Sequence, residues 1–197
     1  MKKFQLFFAS LATLAFTAPA SHAHTGIGAT AGFAHGFSHP LLGLDHLLAM
    51  IAVGLWAPQL AQNNKKALWM VPISFAGVMI LGGVLGASKI ELPLVETGTL
   101  MSVLVLGVLV AASARLPLVA SIAVVGAFAI FHGHAHGAEM PQAVSALFYG
   151  AGFVLATALL HSVGVTLGVL SQKKMSLQIT RFAGAAIALC SVMMFLR

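Results

Sequence analysis

The sequence predicts an all-α membrane protein: a cleavable signal peptide followed by a six-helix transmembrane bundle with a periplasmic mature N-terminus. Three observations predict it. The chain of 197 residues is 59% hydrophobic and only 7% charged, where a soluble domain carries roughly 25% charged residues. Six apolar windows follow one another, each about the 20 residues that a helix needs to cross a bilayer. Positive charge also alternates between the loops, as membrane topology requires. Ten Lys/Arg and four Asp/Glu cannot clothe a soluble globule of this size, which excludes a soluble enzyme and a disordered chain. The net charge of +6 comes without a basic run longer than two residues, so the reading includes no nucleic-acid partner. One cysteine, Cys190, excludes an intramolecular disulfide framework and any CxxC motif.

The elements follow in order. Lys2 and Lys3 precede an apolar run from Phe4 to Phe16 that is too short to span. Ser21 and Ala23 suit the −3 and −1 sites of a signal peptidase, so residues 1–23 read as a signal peptide and His24 as the mature N-terminus. Residues 24–197 then form one transmembrane domain, with spans expected at 40–60, 68–87, 94–114, 117–136, 143–170 and 177–196. Pro40 suits a first helical position, with Ser38 or His39 before it. The spans lack period-2 alternation, so helices fit and a barrel does not. Turn chemistry fills the breaks, as at Gln62-Asn63-Asn64 and Arg115-Leu116-Pro117.

An outside N-terminus puts Lys65, Lys66, Arg115, Lys173, Lys174 and Arg181 on the cytoplasmic side, against Lys89 and Arg197 outside. The positive-inside rule therefore agrees with the signal peptide. Gly82, Gly83 and Gly86 in the second span, and Gly150-Ala151-Gly152 in the fifth, suit close helix contacts.

Ionisable residues inside a bilayer are costly and point to function. His35-Gly36-Phe37-Ser38-His39 leads into Pro40 to Asp45-His46 at the head of the first span. On one continuous helix His39 and His46, two turns apart, would share a face. Asp45 beside them wants a cation or a hydrogen-bonded partner; its bland reading is a structural Asp–His pair. In Phe131-His132-Gly133-His134-Ala135-His136-Gly137-Ala138-Glu139, His132, His136 and Glu139 would line one face and His134 would point elsewhere. Both stretches fall at the outer ends of their helices, so His39, Asp45, His46, His132, His136 and Glu139 are expected to converge on one outward-facing cup. Six such groups are hard to bury without a metal. Nitrogen and oxygen ligands without thiolate suit Ni²⁺, Co²⁺ or Zn²⁺. His35 is a further candidate ligand. After cleavage His24 would offer an α-amine and an imidazole together. His161, deep in the fifth span, reads either as a packing histidine or as a second metal station. Glu91 and Glu96 read as solvated charges of the second outer loop.

The segment His39-Pro40-Leu41-Leu42-Gly43-Leu44-Asp45-His46, running on to Trp56-Ala57, resembles the first-span signature of the HupE/UreJ family of nickel permeases. Phe131 to Glu139 resembles that family's second signature, Phe-His-Gly-x-Ala-His-Gly-x-Glu, and Phe153 to Gly164 is similar to its fifth span. The resemblance implies secondary transport of Ni²⁺, or of Co²⁺ in some relatives, across a bacterial inner membrane, and so a supply to hydrogenase or urease. It carries function onto His39, Asp45, His46, His132, His136 and Glu139. No Walker motif is present, in keeping with a carrier that has no ATPase of its own. The expectation is therefore a transporter, not an enzyme, with no prosthetic group, the metal ion as substrate and the lipid bilayer as surroundings. The rival is an intramembrane zinc-dependent hydrolase, which would bury similar residues around a metal-bound water. A haem protein with paired histidines is a second rival.

Overall fold

The computed structural model of the chain describes residues 29–174 and 177–196. The proposed signal peptide and His24 lie outside the described residues. Every regular element among the described residues is a helix: α1 (Ala29–Leu42), α2 (Leu44–Ala61), α3 (Ala67–Ala87), α4 (Val95–Ala112), α5 (Leu118–Ala138), α6 (Ala146–Lys174) and α7 (Leu177–Phe195). Six of these, α2 to α7, are long and apolar enough to cross a membrane.

The expected first span, 40–60, is divided. Pro40 does not start a helix; it lies near the end of α1. Gly43 then leaves the helical region, at φ −80° and ψ 113°, and α2 begins at Leu44. His39 and His46 therefore stand on two helices either side of a break, not two turns apart on one. The added helix is a product of docking. A side chain at Gly36 would collide with the Tyr149 carbonyl, and one at Gly152 would lie 2.8 Å from the Phe37 nitrogen, so α1 and α6 touch backbone to backbone. A 14-residue, glycine-bearing helix is marginal alone and gains its stability from such a neighbour.

α2 is the central span, with 72% of its most apolar window buried against 28–39% for the others. It packs on α6, α4 and α3, while α3 packs most extensively on α5 and α4 on α7. Two of its side chains settle the end of α4, whose last carbonyls have no partner within the helix. Trp56 donates its indole N–H to the Ala114 carbonyl at 2.8 Å, and Gln59 donates its amide to the Val110 carbonyl at 3.1 Å. The Val110 carbonyl also accepts from the Ser113 backbone N–H at 3.1 Å, and the Trp56 bond fixes the chain just past the helix end.

Small residues set the helix spacing. Gly82 and Gly86 of α3 are pressed on the α5 backbone, and Gly133 and Gly137 of α5 on the α3 backbone. Gly54 meets Gly164 between α2 and α6, and Gly107 meets Gly184 between α4 and α7. Gly150 departs from expectation: nothing lies within 4 Å of where its side chain would be, so no helix approaches closely on that side. Trp69, Ile73, Leu81, Val119, Leu147 and Phe182 are among the large apolar residues turned outward. An exterior this apolar suits lipid and not water.

Candidate metal centre

The expected convergence is present at one end of the bundle. The end of α1 supplies His39, the start of α2 supplies Asp45 and His46, and the end of α5 supplies His132, His136 and, at its C-cap, Glu139. The ring centres of His46 and His132 are 4.7 Å apart, those of His46 and His136 4.1 Å, and those of His39 and His136 4.6 Å. The mouth is open: the side chains of His39 and Glu139 are 37% and 59% exposed. The floor is closed, since His46, His132 and His136 are buried.

Hydrogen bonds orient the rings. The Asp45 carboxylate accepts from the His46 backbone N–H at 2.9 Å and from its Nδ1–H at 2.8 Å. That leaves the Nε2 lone pair of His46 facing the cluster, and this atom is buried without a partner. Ser102 of α4 spends its one hydroxyl proton on the Thr99 carbonyl, at 2.6 Å, so at its 2.6 Å contact with His132 Nε2 it accepts. His132 then carries its lone pair on Nδ1, which is likewise buried and unpartnered. Both ring nitrogens of His136 are buried without a partner. Three imidazoles thus keep nitrogen without a protein partner in one buried place, a cost of roughly 1–3 kcal/mol for each group left unpaired. A cation would remove that cost.

Glu139 accepts from His39 Nε2 at 2.9 Å. This bond holds its carboxyl below the ordinary carboxylate range, against the opposing effect of partial burial. The rings stand edge to face, at 68–88° to one another, and do not aim at one point. No group of three or more His, Cys, Asp or Glu among the described residues is arranged as it would be around a metal ion. Holding an ion here would require the rings to rotate; the nitrogens free to turn toward it are His46 Nε2, His132 Nδ1 and those of His136.

His134 turns away, as its helical position dictates, and donates Nε2–H to the Ile90 carbonyl at 2.7 Å. It ties the loop after α3 to α5. His35 stays on α1, where its backbone carbonyl accepts from the Ser38 hydroxyl. Glu91 and Glu96 are exposed. His161 is buried but lies on α6 against Phe75, outside the imidazole cluster.

The structure adds residues that sequence reasoning missed. Phe153 covers His136 with ring centres 3.9 Å apart, and Phe75 stands 5.7 Å from His132. Ser102 sets the His132 tautomer. A hydroxyl inside an apolar span was the one available signal for Ser102; an aromatic ring in such a span carries none. A cavity of about 540 Å³ lies between α3, α5 and α6, lined by His136, Tyr149, Phe153 and Met79 among others.

The fold and site define a polytopic helical membrane protein with a buried imidazole cluster near one end. Its sequence matches the HupE / UreJ protein family over residues 11–194, and the chain belongs to that family. It is 46% identical over 187 residues to Protein HupE of Rhizobium leguminosarum bv. viciae, covering 95% of each chain. No solved structure matches it.

Proposed function

We propose that this protein is a secondary transporter or facilitator that takes up Ni²⁺, and Co²⁺ as a related substrate, across the bacterial inner membrane. The observation that carries the reading is the set of buried, unpartnered imidazole nitrogens on His46, His132 and His136, gathered from two helices at the end where Asp45 and Glu139 also lie. Membership of the HupE/UreJ family, which the motifs associate with nickel permeases, supports it. In this reading the imidazole end faces the periplasm and the loops bearing Lys65, Lys66 and Arg115 face the cytoplasm.

A hydrated divalent ion meets His39 and Glu139 at the mouth, where contacts are still shared with water. Deeper in, His46, His132 and His136 replace part of its water shell. Asp45 holds His46 in the ligating tautomer and makes its ring a better donor, as carboxylates do behind metal-binding imidazoles. Neutral imidazole suits the late first-row divalent ions better than Mg²⁺ or Ca²⁺. A negative-inside potential draws a doubly charged ion inward by about 4.6 kcal/mol per 100 mV, which suffices to drive uptake without ATP. The release of metal inside would serve nickel enzymes such as hydrogenase or urease.

The test is accumulation of radioactive nickel and cobalt by cells that produce the full chain, compared with cells that do not. Metal-specific accumulation that collapses with the membrane potential is the expected result. Equal accumulation in both cell lines would refute the reading.

A further inference from the structure

The outer cluster leaves one buried histidine unused. We propose that His161 forms a second, inner station for the same divalent cation, separated from the outer cluster by the ring of Phe75. This rests on the transport reading and adds a step to it.

Depth comes first. Phe153 of α6 covers His136, and His161 stands eight residues further along the same helix. At 1.5 Å per residue this is about 12 Å deeper. Phe75 of α3 touches both levels: its ring centre is 5.7 Å from that of His132 and 5.3 Å from that of His161. One aromatic side chain therefore forms a shared wall between two imidazoles at different depths.

The second observation is an unsatisfied donor atom. His161 is 4% exposed, and its Nε2 is buried with no partner. Helix packing does not ask for an imidazole here. The close approach of α2 is made by Gly54 against the backbone of His161 and Gly164, which a side chain of another type at 161 would leave intact. A leucine would fill such a place without stranding a polar atom.

Chemistry and space complete the case. Thr157 lies one turn before His161 on the same face of α6, and Met79 lies one turn after Phe75 on α3. The Thr157 hydroxyl is 3.8 Å from the Met79 sulfur. That pair lies on the outer-cluster side of Phe75, where Met79 also lines the His136 cavity, so the imidazole alone is the inner donor suited to a borderline cation such as Ni²⁺ or Co²⁺. With a single imidazole the station holds its ion more loosely than the outer cluster, as onward passage requires. A cavity of about 260 Å³ between α3 and α6 borders His161 and Ser162 and is walled in part by the outward-turned Trp69 and Ile73.

The experiment uses the full chain with Cys190→Ala as parent, and adds His161→Ala or His161→Cys. In cells, His161→Ala should lower the maximal rate of nickel uptake at least about tenfold while the half-saturating concentration moves less than about twofold, because capture outside is intact. In lipid nanodiscs loaded with Co²⁺, His161→Cys should develop a near-ultraviolet thiolate-to-cobalt charge-transfer band that the parent lacks. A wild-type rate in His161→Ala overturns the inner station, and so does a monodisperse His161→Cys protein without the band. If the parent itself transports no metal, the transport reading fails and the cobalt band alone decides whether position 161 binds a cation.

Discussion

Gly133→Ala tests whether helix spacing, and not only ligand identity, makes the site. Gly133 lies between His132 and His136 on α5, with its α-carbon against α3. A methyl group there would lie 2.8 Å from the Gly83 nitrogen and closer still to the Met79 carbonyl oxygen. Ordinary contact for such atoms is roughly 3.5 Å or more. Neither obstacle can turn aside, because both are helix backbone. The helices must therefore part by about 1.5 Å, and overpacking of this kind costs roughly 1–3 kcal/mol. His132 and His136 ride on the displaced helix, and their ring contacts with His46, at 4.7 and 4.1 Å, open with it. Nickel uptake should fall at least about tenfold, and the detergent-solubilised protein should unfold several degrees lower at roughly 2–4 °C per kcal/mol. Gly83→Ala is the control. Its methyl would meet only the Gly133 carbonyl, at 3.6 Å, an ordinary contact, and it gains helix propensity. Scintillation counting of cells and fluorescence-detected melting provide the two readings. A Gly133→Ala protein that melts and transports like Gly83→Ala would refute the argument that these backbones touch and that the site depends on it.

Four further outcomes are expected. Asp45→Asn removes the charge that fixes and polarises His46, so nickel affinity in nanodiscs should weaken about 10–100-fold by calorimetry with the fold retained; unchanged affinity would deny Asp45 this role. Ser102→Ala releases the His132 tautomer and should weaken affinity about tenfold, a loss that Ser102→Thr largely restores because its hydroxyl can make both bonds. Protons compete with metal for imidazole lone pairs, so uptake should decline on acidification; a rate that stays flat at every acid pH at which the protein remains folded would count against imidazole ligation. Glu139→Gln should matter little to stability. The depressed carboxyl pKa means that the bond from His39 stabilises the protein above the ordinary value of 4.5 and is lost as pH falls through the lower folded value. With both partners more than a third exposed, the difference from wild type near pH 6 should stay under about 1 kcal/mol and shrink towards pH 3 in thermal melts.

Much of this protein follows from local chemistry. A helix in lipid must be apolar for about 20 residues and must satisfy its own backbone, so the number of long apolar helices can be read directly along the chain. The costly groups inside it stand out for the same reason. The 3.6-residue period alone placed His132 and His136 on one face and turned His134 away from them. Other features depended on neighbours. α1 exists because Gly36 and Gly152 let it lie on α6, a contact between segments more than a hundred residues apart, and that docking moved His39 onto a different helix from His46. The Ser102 bond to His132, the Phe153 ring over His136 and the Phe75 ring between two imidazoles arise from pairs that no spacing rule connects. Composition and periodicity act within one segment and decide what enters the membrane and which residues share a helix face. Which faces meet, and therefore which lone pairs are left without a partner, is decided by close packing between segments, whose partners local sequence does not name.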